Sequence, residues 1–227
     1  MSLWLADITA GGRVAVAGVA IFVVAVLALH LLQPGLDPLN EAVSYYVHGP
    51  FGWLLTIGLI ALGIGSLCLV FDLAHTLEGR WSGTGRWLVG VWGVGVLLGG
   101  VFRADPPGRW SEPPSLAGMI HGNAAMLAFV ALPLAAFCLA TTLRQDEQWR
   151  REATVLWGLA VAAGTSLIVF MASLAPVFLR PGPPILLGLS ERVLLAVYAG
   201  WLATMGIVVA RRGGRHGPGT DGPPDEG

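Results

Sequence analysis

Four short stretches of a largely apolar chain carry side chains able to do chemistry. LDPLNEAVSYYVHGP holds Asp37, Glu41, Ser44 and His48; FRADPPGRWSE holds Arg103, Asp105, Arg109 and Glu112. GMIHGNAAM holds His121 and Asn123, and GLSERVLL holds Ser190, Glu191 and Arg192. Imidazoles and carboxylates in such a mixture could act as general acids and bases or as metal ligands. No strict metal spacing, nucleophile elbow or phosphate-binding loop accompanies them, so the catalytic signal is weak and no metal or cofactor is expected. The plainest use of the set is an ion-pair and hydrogen-bond network that fixes helix register. The leading functional reading is a recess of Asp37, Glu41, Ser44, His48, Arg103, Asp105, His121, Asn123, Glu191 and Arg192 that binds a lipid headgroup or small amphiphile without enzymatic activity. One alternative is an intramembrane hydrolase or transferase acting on lipids through His121, His48 and Asp105. A small-molecule transporter is another, although few polar residues lie elsewhere in the apolar runs to line a path: Thr56, Ser66, Thr165, Ser166, Ser173 and Thr204.

The elements that must hold these residues follow from composition. Of 227 residues, 55% are hydrophobic and only 12% charged, with a mean hydropathy of +0.70. An average soluble domain carries about 25% charged residues, so a water-soluble globule fits poorly. Apolar runs near 14–32, 51–74, 87–102, 117–143, 153–178 and 186–210 each come close to bilayer-spanning length. Lipid-exposed backbone must satisfy its own hydrogen bonds, and the runs are too long for barrel strands. An all-α, six-helix transmembrane bundle over residues 1–212 is therefore expected, followed by a disordered Gly/Pro-rich cytoplasmic tail over 213–227. No A-x-A cleavage signal follows the first run, so it reads as a retained span. The net charge of −1 gives no sign of a nucleic-acid partner, and Cys68 and Cys138 read as small apolar fillers.

Arginine placement sets the expected orientation. All thirteen basic residues are arginines. Nine of them (Arg13, Arg80, Arg86, Arg144, Arg150, Arg151, Arg211, Arg212 and Arg215) lie at the termini and on one set of loops. The alternate loops hold three, Arg103, Arg109 and Arg180. Cytoplasmic loops carry the positive excess, so both termini are expected inside and the four polar stretches outside. Trp53, Trp81, Trp87, Trp110 and Trp149 read as interfacial anchors at span ends. Gly95 and Gly99 in the 87–102 span form a small-xxx-small pair, for packing within the bundle or for a homo-oligomer. Pro133 predicts a kink.

Locally, Asp37–Pro38 is a helix-start signal and Gly49–Pro50 a stop. They predict an interfacial helix over 38–48 with Glu41, Ser44, Tyr45 and His48 on one face. Glu191 and Arg192 are adjacent, hence about 100° apart on a helix, and each needs its own partner. Asp105, Asp37 or Glu41 is expected for Arg192, and Arg103 or His121 for Glu191. His30, Asp72 and His75 read as interfacial or solvated helix ends.

LDPLNEAVSYYVHGPFGWL, GGVFRADPPG, GMIHGNAAMLAFVALPLAA and GLSERVLLAVYAGWLA resemble, in order and spacing, segments of the bacterial membrane family known as domain of unknown function 998. Asp37, Pro38 and Ser44 fall on its first element, and Arg103, Asp105, Pro106, Pro107 and Gly108 on its second. His121 and Gly122 fall on the third, Gly188 and Arg192 on the fourth. Many relatives have proline where this chain has Arg103. The resemblance implies a six-helix bundle in the bacterial plasma membrane and no particular activity. It is distantly reminiscent of the Frag1/DRAM/Sfk1-like group, whose members are linked to membrane lipids.

Overall fold

The computed structural model describes residues 10–109, 112–145, 147–179 and 183–213. Arg180, Trp110, His216 and the expected tail beyond Gly213 lie outside the described residues. Among the described residues the long elements are α1 (Ala10–Leu32), α2 (Trp53–Thr76), α3 (Ser82–Val101), α4 (Leu116–Arg144), α5 (Arg150–Leu179) and α6 (Leu187–Gly213). Every end falls within five residues of its expected place. All six are long and apolar enough to cross a bilayer.

Each helix packs on its chain neighbours, and α1 closes the ring on α6. At the closure a Cβ on Gly12 would meet the Gly206 carbonyl and Ala210, so the start of α1 and the end of α6 share one face of the bundle. Leu29, Leu69, Trp92, Leu132 and Tyr198 fill the interior. Val24, Leu127 and Ile168 point outward with most of their surface exposed, an arrangement suited to acyl chains and not to water. Fold and hydropathy together make this a multi-pass membrane protein.

Two polar groups bind helices together. Pro133 has no N–H, so the Phe129 carbonyl one turn earlier has no helical donor. The Tyr198 hydroxyl of α6 donates to that carbonyl at 2.6 Å. At the terminal face, the Gly12 N–H donates to the Asp72 carboxylate at 2.8 Å. The first N–H groups of a helix have no partner in the helix itself and attract negative charge. Asp72, expected as a solvated helix end, is instead buried and caps α1.

Further expectations change here. Trp149 is buried rather than interfacial, while Trp53, Trp81 and Trp87 are exposed at helix ends. Gly95 faces the Ala124 carbonyl and Ala128, and Gly99 faces the His121 ring, so this pair serves packing of α3 on α4.

Candidate functional site

The expected helix over 38–48 is shorter and of another kind. Residues 38–40 form a turn, Ala42 is extended, and a 3-10 helix runs over Val43–His48. Asp37 accepts from the Leu39 N–H at 2.9 Å and from the Asn40 side chain at 2.7 Å, which makes it a turn cap. Those two donors hold its carboxyl below the ordinary carboxylate range. Glu41 turns back to accept from the Asp37 N–H at 2.7 Å.

A continuous helix fails because α6 takes the backbone groups it would use. The Leu189 N–H, an orphan donor at the start of α6, donates to the Leu39 carbonyl at 3.0 Å. Arg192 Nη1 donates to the Glu41 carbonyl at 2.8 Å, and the Val43 N–H donates to the Glu191 carboxylate at 2.6 Å. Gly188 permits this approach, since a Cβ there would run into the Glu41 and Pro38 carbonyl oxygens. Tertiary donors and acceptors outcompete the local helix.

Arg192 therefore has partners other than those expected. It forms no ion pair with Asp105, Asp37 or Glu41 among the described residues. Its Nε donates to His30 Nε2 at 2.8 Å, Nη1 donates also to the Gly188 carbonyl at 2.9 Å, and its guanidinium lies over the Tyr46 ring. His30 Nδ1 faces the Val26 carbonyl at 2.7 Å, so that nitrogen carries the hydrogen and Nε2 is the acceptor. His30, read as an interfacial residue, is the neutral base that receives the arginine. The Gln33 side chain donates to the Tyr46 carbonyl and pins the same segment. Only the depth of His30 in its span hinted at this role.

Glu191 meets neither Arg103 nor His121 by an ion pair or hydrogen bond among the described residues. It is 7% exposed and holds the Val43 N–H. Arg103 is exposed and has no ion-pair or hydrogen-bond partner among the described residues. Asn123 is exposed and donates to the Met119 carbonyl of its own helix, so it stands outside the recess.

The second polar loop is tied down at both ends. The Ser115 N–H donates to Asp105 at 3.0 Å, and Ser115 Oγ accepts from the Gly118 N–H at 3.0 Å. Asp105 and Ser115 together cap α4. The Ser115 hydroxyl and N–H hold the Asp105 carboxyl below the ordinary range. The next residue back, Ala104, accepts from His48 Nε2 at 2.9 Å, which joins this loop to the 3-10 helix. His121 Nδ1 faces the Gly99 and Phe102 carbonyls at 3.1 and 2.9 Å, closing the end of α3. Its Nδ1 thus carries a hydrogen, and Nε2 has no hydrogen-bond partner among the described residues.

Beneath these loops lies a cavity of about 370 Å³, walled by α4, α5, the start of α6 and the 3-10 helix. Arg109, paired with Glu112, and Asp105 stand at its mouth. Ser44, Tyr45, His121 and Glu191 line its walls together with Phe129 and Phe170. The Tyr45 hydroxyl is pushed well above its ordinary range, first by burial and then by the charges of Glu191, Glu41 and Asp105. A second space of about 60 Å³ lies among Phe22, Leu55, Leu62, Trp92 and Leu195. Ser44, His121, Phe129 and Glu191 line both, so a cavity with polar groups at its rim lies against an apolar chamber.

The structure brings Ser44, Asp105, His121 and Glu191 to this cavity and leaves Asp37, Glu41, His48, Asn123 and Arg192 off its lining. Arg103 lines only a small adjoining crevice with Ser44 and His121. His48 and Asp105 are each engaged elsewhere, so the set His121, His48 and Asp105 is not gathered around one reaction space. Among the described residues no three of His, Cys, Asp or Glu are placed to hold a metal ion. Deeper hydroxyls turn to their own helices: Ser66 donates to the Leu62 carbonyl, Ser166 to Ala163 and Thr204 to Gly200.

A six-helix, multi-pass membrane protein with a recess under loops at one end of the bundle is the class that fold and site define. The chain belongs to the family described as protein of unknown function DUF998, whose model matches residues 16–208. No curated protein and no solved structure matches it.

Proposed function

We propose that this protein binds an amphiphile, such as a membrane lipid headgroup with part of its chain, in a recess that opens outside the cell. The observation that carries the reading is a cavity with charged groups and apolar walls, set against an apolar chamber with which it shares Ser44, His121 and Glu191. A cavity of about 370 Å³ lies within the span of about 300–1,000 Å³ that small-molecule pockets occupy. Apolar walls remove the chain from water, and a few fixed polar groups orient the head. The arginine excess on the loops of the opposite face supports the outward orientation.

Gly122 supplies the test. It lines the cavity, and a Cβ there meets nothing within 4 Å, so the position accepts a side chain and Gly122→Phe is expected to occupy the recess. Protein purified in a mild maltoside detergent is expected to carry a tightly held amphiphile, seen by native mass spectrometry and lipid extraction, which Gly122→Phe loses while remaining folded. Equal adducts in both proteins, or none in either, would overturn the reading. For orientation, a cysteine at Gly108 should react with a membrane-impermeant maleimide on intact cells, and one at Gln145 should not.

A further inference from the structure

The charge of the recess says which amphiphile it takes. Asp105, Glu112 and Glu191 line the cavity, against Arg109, whose charge is already matched by Glu112. Asp105 is occupied in capping α4. Arg192, next to Glu191 in sequence, is turned to His30 and the Glu41 and Gly188 carbonyls. Glu191 is thus left as a carboxyl group with no cation paired to it among the described residues.

One Glu191 oxygen accepts from the Val43 N–H at 2.6 Å. The other has no hydrogen bond among the described residues. It is not sealed in, because the one fully buried side-chain polar atom without a partner among those residues is Trp201 Nε1. That oxygen therefore faces the space Glu191 lines, although the residue as a whole is only 7% exposed. A carboxylate taken out of water calls for a cation or a strong donor. Tyr45, Phe129 and Phe170 line the same cavity, and aromatic faces attract cations.

The geometry points to an amphiphile with a cationic, ammonium-bearing head as the ligand of this recess, its head on Glu191 and its chain along the apolar wall of Met126, Phe129, Phe170 and Leu174, on the side facing the chamber of Leu55 and Leu62. The inference rests on the amphiphile reading above and adds the sign of the charge. An anionic head of the same size would meet the carboxylate groups of Glu191, Asp105 and Glu112, with no unpaired arginine among the described lining residues to offset them.

Calorimetric titration in maltoside micelles at neutral pH tests it with decylammonium, decanoate and decanol, one alkyl length with three head charges. Heats measured on Gly122→Phe give the baseline for partition into micelles. Decylammonium is expected to bind at least about ten-fold more tightly than decanoate, a gap of about 1.4 kcal/mol. Glu191→Gln, which keeps an acceptor for Val43, is expected to remove that preference. Binding of decanoate equal to or tighter than that of decylammonium would overturn the charge assignment and leave the amphiphile reading standing. So would a Glu191→Gln protein that keeps the preference. If none of the three binds above the Gly122→Phe baseline, the amphiphile reading itself falls. The wild-type comparison decides the sign even if Glu191→Gln does not fold.

Discussion

Replacing Arg192 should loosen the segment that walls the recess, and the size of the effect can be worked from its bonds. Arg192→Met keeps the length and apolar bulk of the stem but removes the guanidinium. The Glu41 carbonyl and His30 Nε2 then lose donors that stood at 2.8 Å each. A hydrogen bond to a charged group contributes about 1.5–3 kcal/mol, so the pair contributes about 3–6 kcal/mol at most. The Gly188 contact lies within α6, and the Tyr46 hydroxyl at 3.4 Å is weak, so neither adds much. Arg192 is half-buried, and water replaces part of what is lost, which brings the expected cost to about 2–4 kcal/mol. For a chain of this size that corresponds to a Tm lower by about 4–16 °C. Arg192→Lys should fall between, because an ammonium cannot fork to His30 and Glu41 together. Thermal unfolding in micelles reads the global cost, and hydrogen exchange over 37–48 reads the local one. A Tm within about 2 °C of wild type, with unchanged exchange over 37–48, would refute the claim that Arg192 holds this segment.

Three other outcomes follow from single contacts. Tyr198→Phe should cost about 1–3 kcal/mol, by leaving the Phe129 carbonyl unsatisfied in the interior, and should cost much less beside Pro133→Ala, which restores a helical N–H; additive losses in unfolding measurements would contradict this. Asp72→Ala should lower stability by about 1–3 kcal/mol through the uncapped Gly12 N–H, with Asp72→Asn milder, and equal Tm values for all three proteins would contradict it. The folded Asp105 carboxyl titrates below its ordinary value, so its stabilisation is present above that value and is lost as pH falls through the folded one. The Tm difference between wild type and Asp105→Asn should accordingly hold steady above about pH 5 and shrink below about pH 4, and a gap unchanged at lower pH would contradict the cap.

The spans were legible because bilayer thickness dictates a length and hydrocarbon dictates a composition, and both are local properties of the chain. The gathering of polar groups at one end was legible for the same reason, since residues at equal depth in successive spans must share a face. Their pairing was not. Arg192 takes carbonyls and a neutral histidine, and backbone acceptors have no signature in sequence. The 38–48 segment carries sound start and stop signals, yet α6 claims the Glu41 carbonyl and the Val43 N–H, and no local rule reports a competitor about 150 positions away. Asp72 was misplaced because a carboxylate near a helix end looks solvated until another helix start is set against it. The donor missing at Pro133 was legible, but not the Tyr198 hydroxyl that answers it.

What occupies the space between Ser44, His121 and Glu191 decides whether this bundle holds a guest. An experimental structure in lipid nanodiscs should show a foreign molecule there, its head against Glu191 and its chain directed toward Leu55 and Leu62. A recess closed by its own side chains, with Met126 and Phe129 packed onto Glu191 and no room for a guest, would contradict it.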